Sequence, residues 1–413
     1  MRTWRFSRGL SFVMILVFLL VLVLSGCGTT GGTSAKSGSS GLTIKVGIID
    51  TYTGPPTAYT QDALDGFKLA VNDIAKEGGP KIEYVTRDDQ YKVDQALSWA
   101  KELVMNEKVD VLAGTINSAV SLAVSQYAKQ NKIPFINWGA LSDEITGAKG
   151  HRYVFSTPPN TAMIAKTGAI QISQLPYTKF WLAGSDYEYG HLVVSDFWTD
   201  LQKLKPGVQK LGETWWKIGE PDFTPYLTAI RAAKPDAVIV GAGAADIIPF
   251  MKALKATGLS KQIPVWIPQS IDAGTLRALG NDQPEGVLGT NQYFYYYPDT
   301  AANKQFEQEF KQATNREPGF AGLYGYMAGK YLGAAIQKAG STDREKIVDA
   351  LEGLTLDTPV GQLTMRKEDH QSLDPLFYGK TPGTGVVANG LVQLSPDKVM
   401  PSVEDVMNAR AKK

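Results

Sequence analysis

The stretch Val109-Asp110-Val111-Leu112-Ala113-Gly114 decides the fold, because a short apolar run that ends in glycine is typical of a buried parallel strand. Helical patterns flank it, at Val93–Glu107 on one side and at Ser118–Gln130 on the other. A further strand follows at Ile133–Asn137, so strands and helices alternate along the chain. This alternation predicts a parallel sheet with right-handed crossover connections.

The second half of the chain repeats this alternation. Four strands are predicted there, at Lys179–Ala183, Gln209–Thr214, Ala237–Val240 and Val265–Ile267. The pattern of the first stretch recurs in Asp236-Ala237-Val238-Ile239-Val240-Gly241. Likewise, the pattern of Ile133-Pro134-Phe135-Ile136 recurs in Ile263-Pro264-Val265-Trp266. Two similar α/β lobes are the economical interpretation, and chance recurrence of common strand sequences is the alternative. Parallel sheets bind ligands at the carboxyl ends of their strands, so a ligand site is expected in a cleft between the lobes.

The N-terminus has the composition of an export signal. Three arginines precede an apolar run from Phe12 to Leu24, and no acidic residue lies before Cys27, the only cysteine. A basic segment, about a dozen apolar residues and a small-residue cleavage site are typical of a signal peptide, whereas a membrane span would need roughly 20 apolar residues. Leu24-Ser25-Gly26-Cys27 resembles a bacterial lipobox, which implies cleavage after residue 26 and acylation of Cys27. An uncleaved N-terminal anchor is the alternative.

Composition excludes several classes of function. The formal charge of +1 falls to −2 once the three arginines of the signal are removed, so no basic surface for nucleic acid is expected. With Cys27 acylated, no thiol remains for a disulfide. Residues 27–41 are almost wholly Gly, Ser and Thr and predict a flexible linker.

No motif for catalysis or for a cofactor is present. The run Gly241-Ala242-Gly243-Ala244-Ala245-Asp246 starts like a dinucleotide fingerprint, but Asp246 stands where the third glycine is needed. The sequence has no P-loop, no Gly-x-Ser-x-Gly elbow and only three scattered histidines. We therefore predict a protein without enzyme activity, cofactor or metal.

From Thr43 to Leu373 the chain resembles the branched-chain amino acid (Leu/Ile/Val) binding proteins of bacterial ABC importers, which are type I periplasmic binding proteins. The residues that carry the resemblance are Thr53-Gly54-Pro55, Asp65-Gly66, Asp88-Asp89, Gly114 with Asn117-Ser118-Ala119, and Tyr187-Glu188-Tyr189-Gly190. Their order and spacing carry the resemblance, since no single one is specific. It implies a two-lobed α/β fold in which each lobe has a parallel sheet with helices on both faces.

The resemblance also implies three crossover hinge segments, near residues 157–158, 290–293 and 359–364. Residues 42–157 with 293–360 would form lobe one, and residues 158–292 with 361–413 would form lobe two. The expected protein is a monomeric, extracytoplasmic lipoprotein that delivers a small molecule to the membrane subunits of an ABC importer. A ligand-sensing receptor component of the same fold is the main alternative, and a lipid-anchored hydrolase is a weaker one.

In lobe one, the resemblance implies four ligand contacts. Ser118 would bind the ligand's α-carboxylate at a helix start, although capping of the helix alone would also explain a serine there. Gly139 would offer its carbonyl, and Leu141 stands where the family has a threonine. Tyr59 would close the cleft. Trp138 stands where many relatives carry proline, and it could line the pocket or belong to the core.

In lobe two, Tyr189 would lie over the ligand, with Tyr187 as a neighbouring candidate; ordinary packing is the alternative for each tyrosine. Gln269 stands where the family has the acid that pairs with the α-ammonium, and a buried ammonium without such a partner is costly. Either the ligand has no ammonium there, or Asp246 or Asp272 supplies the charge. Gly243 replaces a family aromatic and would leave room for a bulkier ligand. We therefore expect an amino-acid-like, carboxylate or amide ligand, with an aromatic body possible in this site.

The lipobox leads to a first prediction. Replacing Cys27 with Ser removes the thiol that is acylated, so the protein should be released from membranes or remain uncleaved. Fractionation and mass spectrometry of the N-terminal peptide measure this. A lipid-modified product from the serine variant would contradict the assignment.

Overall fold

The computed structural model describes residues 41–54 and 56–412. The predicted signal peptide, Cys27 and nearly all of the predicted linker therefore lie outside the described residues. Within the described part, no helix combines the length and the apolar character needed to cross a membrane.

The first sheet contains the strands predicted at Val109–Gly114 and Ile133–Asn137 together with three further strands. In the described residues it has five parallel strands in the order β2-β1-β3-β4-β5. These are β1 (Thr43–Asp50), β2 (Lys81–Asp88), β3 (Val111–Gly114), β4 (Phe135–Asn137) and β5 (Val154–Ser156). Val46 and Ile49 belong to separate buried clusters, because successive side chains of β1 point to opposite faces and both faces are covered.

The second sheet contains the four strands predicted in the second half. Its strands are β6 (Lys179–Ser185), β7 (Gln209–Trp216), β8 (Ala237–Gly241), β9 (Val265–Pro268), β10 (Glu285–Asn291), β13 (Leu376–Pro382) and β14 (Asn389–Leu394). Between β10 and β13 the chain forms a separate hairpin of β11 (Thr355–Thr358) and β12 (Gly361–Thr364). In the described chain the order is β14-β13-β10-β9-β8-β6-β7. The expectation of a wholly parallel sheet is wrong here: β13 and β14 pair antiparallel at one edge, because a hairpin needs no crossover helix.

Helices cover both sheets. We call the first sheet with its helices lobe one and the second sheet with its helices lobe two. The helices of lobe one are α1 (Thr57–Lys76), α2 (Val93–Met105), α3 (Ser118–Asn131), α9 (Ala301–Thr314), α10 (Phe320–Ala339) and α11 (Arg344–Leu351). The helices of lobe two are α4 (Thr161–Ser173), α5 (Glu188–Leu204), α6 (Thr224–Ala233), α7 (Ile247–Thr257), α8 (Ala273–Leu279) and α12 (Pro396–Val399), and α13 (Val403–Ala411) ends the chain. The predicted two-lobed α/β fold is confirmed.

The C-terminal part of the chain contacts lobe one at two places. Leu363 and Met365, which the sequence assigned to lobe two, pack in a buried cluster of lobe one. Arg410 of α13 donates to the carbonyls of Thr146 and Gly147, which follow β4. The predicted division of the chain into lobes by residue number stays a prediction.

Helices α1 and α10 lie in direct backbone contact. A Cβ atom added to Gly325 would lie 1.9 Å from the carbonyl oxygen of Ala63, and one added to Gly66 would lie 2.0 Å from the carbonyl oxygen of Gly322. Further along, a Cβ atom added to Gly333 would lie 2.5 Å from the side chain of Ile74. Since Ala63, Ala70 and Ile74 meet Gly325, Gly329 and Gly333 in that order, α1 and α10 run in the same direction.

This contact leads to a second prediction. Gly325→Ala should lower the free energy of unfolding by about 1–3 kcal/mol or more, because the new methyl group must push two helix backbones apart. Gly322→Ala on the same helix is the matched control, since its methyl group would meet side chains and no backbone, namely the Phe310 ring at 3.0 Å and Pro318 Cβ at 3.4 Å. Urea unfolding of both variants measures the difference. A stabilised Gly325→Ala protein, as helix propensity alone predicts, would contradict the contact.

Candidate functional site

A cavity lies between the lobes and is lined by residues of both. The lobe-one side of its lining consists of Tyr59, Ile116, Ser118, Gly139 and Phe320. Leu141 also lines the cavity, but it packs in a buried cluster of lobe two. The lobe-two side consists of Tyr187, Tyr189, Ala242, Gly243, Ala244, Ile247 and Gln269. None of these described lining residues carries a charged side chain.

The strands of both sheets determine where this lining lies. Ser118 follows β3, and Gly139 and Leu141 follow β4. In lobe two, Gly243 follows β8 and Gln269 follows β9. Carboxyl ends of parallel strands meet at one edge of a sheet, so loops distant in sequence converge on one cavity.

Ser118 does not cap its helix. The cap of α3 is Asn117, whose Oδ1 accepts from the backbone N–H of Ala119 at 2.9 Å and of Val120 at 3.2 Å. The alternative that Ser118 is there only as a cap is therefore wrong. Its side chain is buried at the cavity, and its hydroxyl makes no hydrogen bond to any described residue. Ser118 thus presents a free donor at the positive end of a helix.

Trp138 is the predicted ligand contact that the structure does not bring to the cavity. It is fully buried, its Nε1 donates to Asp50 Oδ2 at 2.7 Å, and its ring lies 5.5 Å from that of Phe67. Burial raises the pKa of the Asp50 carboxyl to about 7. Trp138 therefore belongs to the core of lobe one, which was one of the two interpretations of this residue from the sequence.

Tyr187 occupies the space that Gly243 leaves open. A Cβ atom on Gly243 would lie 2.1 Å from the Tyr187 hydroxyl. The ring of Tyr187 lies 6.1 Å from that of Tyr189. The site therefore does not gain the extra room expected from Gly243, because an aromatic ring from a neighbouring segment fills it.

The two acids considered as partners for an ammonium lie outside the cavity lining. Asp246 accepts from Ser185 Oγ at 2.6 Å and from the Gly219 N–H at 2.8 Å. Asp272 caps α8 by accepting from the Thr275 N–H at 3.1 Å, and its burial raises its pKa to about 6. Both carboxyls already have donors from the protein.

Phe320, Ile116 and Ile247 line the cavity but were not predicted. Phe320 opens α10, and its ring lies 5.5 Å from that of Tyr59. No local motif marks it, since Tyr59 and Phe320 are brought together only by the packing of α1 on α10. Ile247 opens α7 directly after the glycine-rich run that failed as a dinucleotide motif.

Comparison with known proteins identifies the family. A family model described as "Periplasmic binding protein" matches residues 43–383. The chain belongs to the periplasmic binding protein family. It is thus an extracytoplasmic solute-binding protein and not an enzyme. The predicted extracytoplasmic location and the predicted lack of enzyme activity are therefore confirmed.

Named relatives of this binding protein differ in what they bind. A Leu/Ile/Val-binding protein homolog from Brucella melitensis is 24% identical over 364 residues, covering 83% of this chain and 85% of the relative. A solute binding protein of an ABC transporter from Rhodopseudomonas palustris, solved in complex with 3,4-dihydroxy benzoic acid, is 27% identical with a TM-score of 0.78 and covers 86% of this chain and 98% of its own. An ABC-type branched-chain amino acid transporter structure from the same species is 28% identical with a TM-score of 0.68, covering 88% and 99%.

The lobes of this binding protein touch across the cavity. The Tyr59 hydroxyl lies 2.8 Å from Thr275 Oγ1 of lobe two. Ser142 Oγ, in the loop after β4, donates to Glu188 Oε1 at the start of α5 at 3.1 Å. Both bonds connect segments of the two lobes.

The packing of Tyr187 on Gly243 leads to a third prediction. Gly243→Ala should lower the free energy of unfolding by about 1–3 kcal/mol, because the methyl group overlaps a buried ring. The same substitution should cost less in a Tyr187→Leu background, where the ring is absent. Urea unfolding of the four proteins measures this double-mutant cycle. An equal cost in both backgrounds would show that Tyr187 does not fill this space.

Proposed function

We propose that this protein captures a small carboxylate with an apolar or aromatic body in the interlobe cavity and delivers it to an ABC importer. The observation that supports this most is the uncharged lining, which includes a free serine hydroxyl at a helix start. The lipid anchor at Cys27 is part of the proposal, since it would hold the protein at the membrane beside the importer.

The lining disfavours an α-amino acid. A buried ammonium needs a carboxylate partner, and among the described lining residues Gln269 stands where the family's acid is expected. Asp246 and Asp272 do not line the cavity and are already bonded. An ammonium enclosed there would lose its water without gaining an opposite charge.

The same lining suits an anion better. The Ser118 hydroxyl can donate to an oxygen of the ligand, and the positive end of α3 favours negative charge. Because Asn117 already uses the N–H groups of Ala119 and Val120, the hydroxyl of Ser118 is the main direct donor from lobe one.

Aromatic side chains suit a flat apolar body. Tyr59 and Phe320 come from lobe one, and Tyr187 and Tyr189 come from lobe two. Stacked or edge-on contacts of this kind contribute about 0.5–1.5 kcal/mol each beyond burial. The relative solved with 3,4-dihydroxy benzoic acid, at 27% identity, supports an aromatic acid, and the branched-chain amino acid relative supports the rival ligand.

Closure is the proposed mechanism of signalling to the importer. A ligand that contacts both lobes binds the closed state better than the open one and shifts the equilibrium by that difference in affinity. The bonds from Tyr59 to Thr275 and from Ser142 to Glu188 join the lobes in this structure, and we propose that opening breaks them. The importer would then recognise the closed surface.

The proposal leads to a fourth prediction, in which benzoate is the probe and leucine the rival. Ser118→Ala should weaken benzoate binding about tenfold or more, because a hydrogen bond to a charged group contributes about 1.5–3 kcal/mol. Ser195→Ala, on the exposed face of α5, is the matched control and should bind as the wild type does. Isothermal titration calorimetry measures all three proteins. Tight leucine binding without benzoate binding would overturn the aromatic-acid proposal.

A further inference from the structure

Gln269 is held in an unusual backbone conformation at the cavity. Its φ angle is 54°, in the left-handed region that residues other than glycine rarely adopt. Its N–H donates to the Thr290 carbonyl at 2.9 Å, and its own carbonyl accepts from the Asp272 N–H at 3.1 Å. Backbone strain of this kind persists where the surroundings enforce it, and it is concentrated at ligand sites.

The side chain of Gln269 has one satisfied end and one unsatisfied end. The Tyr189 hydroxyl donates to Oε1 at 2.8 Å. Nε2 is buried and has no hydrogen-bond partner among the described residues. Gln269 is 7% exposed and lines the cavity. A buried amide that lacks an acceptor is rare in proteins and indicates that a partner is supplied from elsewhere.

Tyr189 determines which end of the amide is free. Burial raises the pKa of its hydroxyl, which therefore keeps its proton. Among the described residues that hydroxyl has no acceptor other than Gln269. With the amide reversed, both the tyrosine proton and the amide oxygen would lose their partners. The orientation with Nε2 free leaves the fewest unsatisfied groups, so Gln269 offers a donor.

We infer that the Gln269 amide is a second ligand subsite, on lobe two, which donates to an oxygen acceptor of the ligand that is separate from the carboxylate at Ser118. The ligand class becomes an aromatic acid with a further oxygen acceptor on its ring. This inference rests on the proposed function. It also gives each lobe one polar contact, so that a ligand with both oxygens favours closure more than one with the carboxylate alone.

The test compares ring substituents that differ only in hydrogen bonding. Calorimetry is done on the wild type with benzoate and with the 3- and 4-isomers of methyl-, formyl- and aminobenzoate. The formyl group only accepts a hydrogen bond, and the amino group mainly donates one. The methyl group neither accepts nor donates. One formyl isomer should bind about threefold to tenfold more tightly than its methyl counterpart, as expected for a neutral hydrogen bond.

Substitutions test whether Gln269 causes the preference for the formyl compound. Gln269→Met removes the donor at similar length, so the formyl and methyl compounds should bind alike. Gln269→Glu keeps the shape but only accepts, so it should turn the preference toward the amino compound. Gln202→Met, on the exposed face of α5, is the matched control and should keep the wild-type preference.

Each outcome decides between the two proposals. Equal binding of the formyl and methyl compounds by the wild type overturns the subsite and leaves the proposed function intact. A wild-type preference for an amino isomer overturns the donor assignment. Failure of every aromatic acid to bind overturns the aromatic-acid form of the proposed function and this inference with it. Because the wild-type comparison stands alone, a variant that does not fold does not prevent a decision.

Discussion

The backbone contact between α1 and α10 is the constraint on which the cavity depends. Glycines allow the two helices to approach until a single Cβ atom on Gly325 would overlap the Ala63 carbonyl oxygen. Because the helices run in the same direction, both begin at the cavity, where Tyr59 and Phe320 form one aromatic wall. Arg316 strengthens the junction by pairing with Asp62, 254 positions away, at 2.7 Å.

The buried acidic side chains near the cavity do not belong to its lining. Asp50, Asp246 and Asp272 are all buried nearby, yet each accepts hydrogen bonds from protein donors and none lines the cavity. The acids hold the surrounding loops in place, while the lining itself offers hydroxyls, an amide and aromatic rings. A lining of this kind selects against a ligand ammonium, because its desolvation would not be compensated, whereas the Ser118 hydroxyl and the positive end of α3 can compensate a carboxylate.

Closure and selectivity are linked through the same residues. Tyr59 contacts the cavity and also bonds to Thr275 across the cleft. Tyr189 lines the cavity and also orients the Gln269 amide. A change of ligand would therefore alter both the fit of the cavity and the stability of the closed state, since no separate element connects the two.

The amino-acid sequence by itself determined the alternation of strands and helices, the two lobes and the cleft between them. These follow from local periodicity, and the predicted strands agree to within two residues with the observed bounds of β3, β4 and β6 to β9. The resemblance to the family also pointed to Tyr59, Ser118, Gly139, Leu141, Tyr189, Gly243 and Gln269, which the fold brings to one cavity. The resemblance could point to these residues because each lies just after a strand or near the start of a helix.

Only the tertiary structure decided the rest. Asn117 rather than Ser118 caps α3, Trp138 turns into the core toward Asp50, and Tyr187 fills the space beside Gly243. Phe320 lines the cavity although it lies far from Tyr59 in the sequence. Each of these depends on which side chain lies nearest once distant segments pack, and hydrogen bonding and steric exclusion between such segments leave no signal in local sequence.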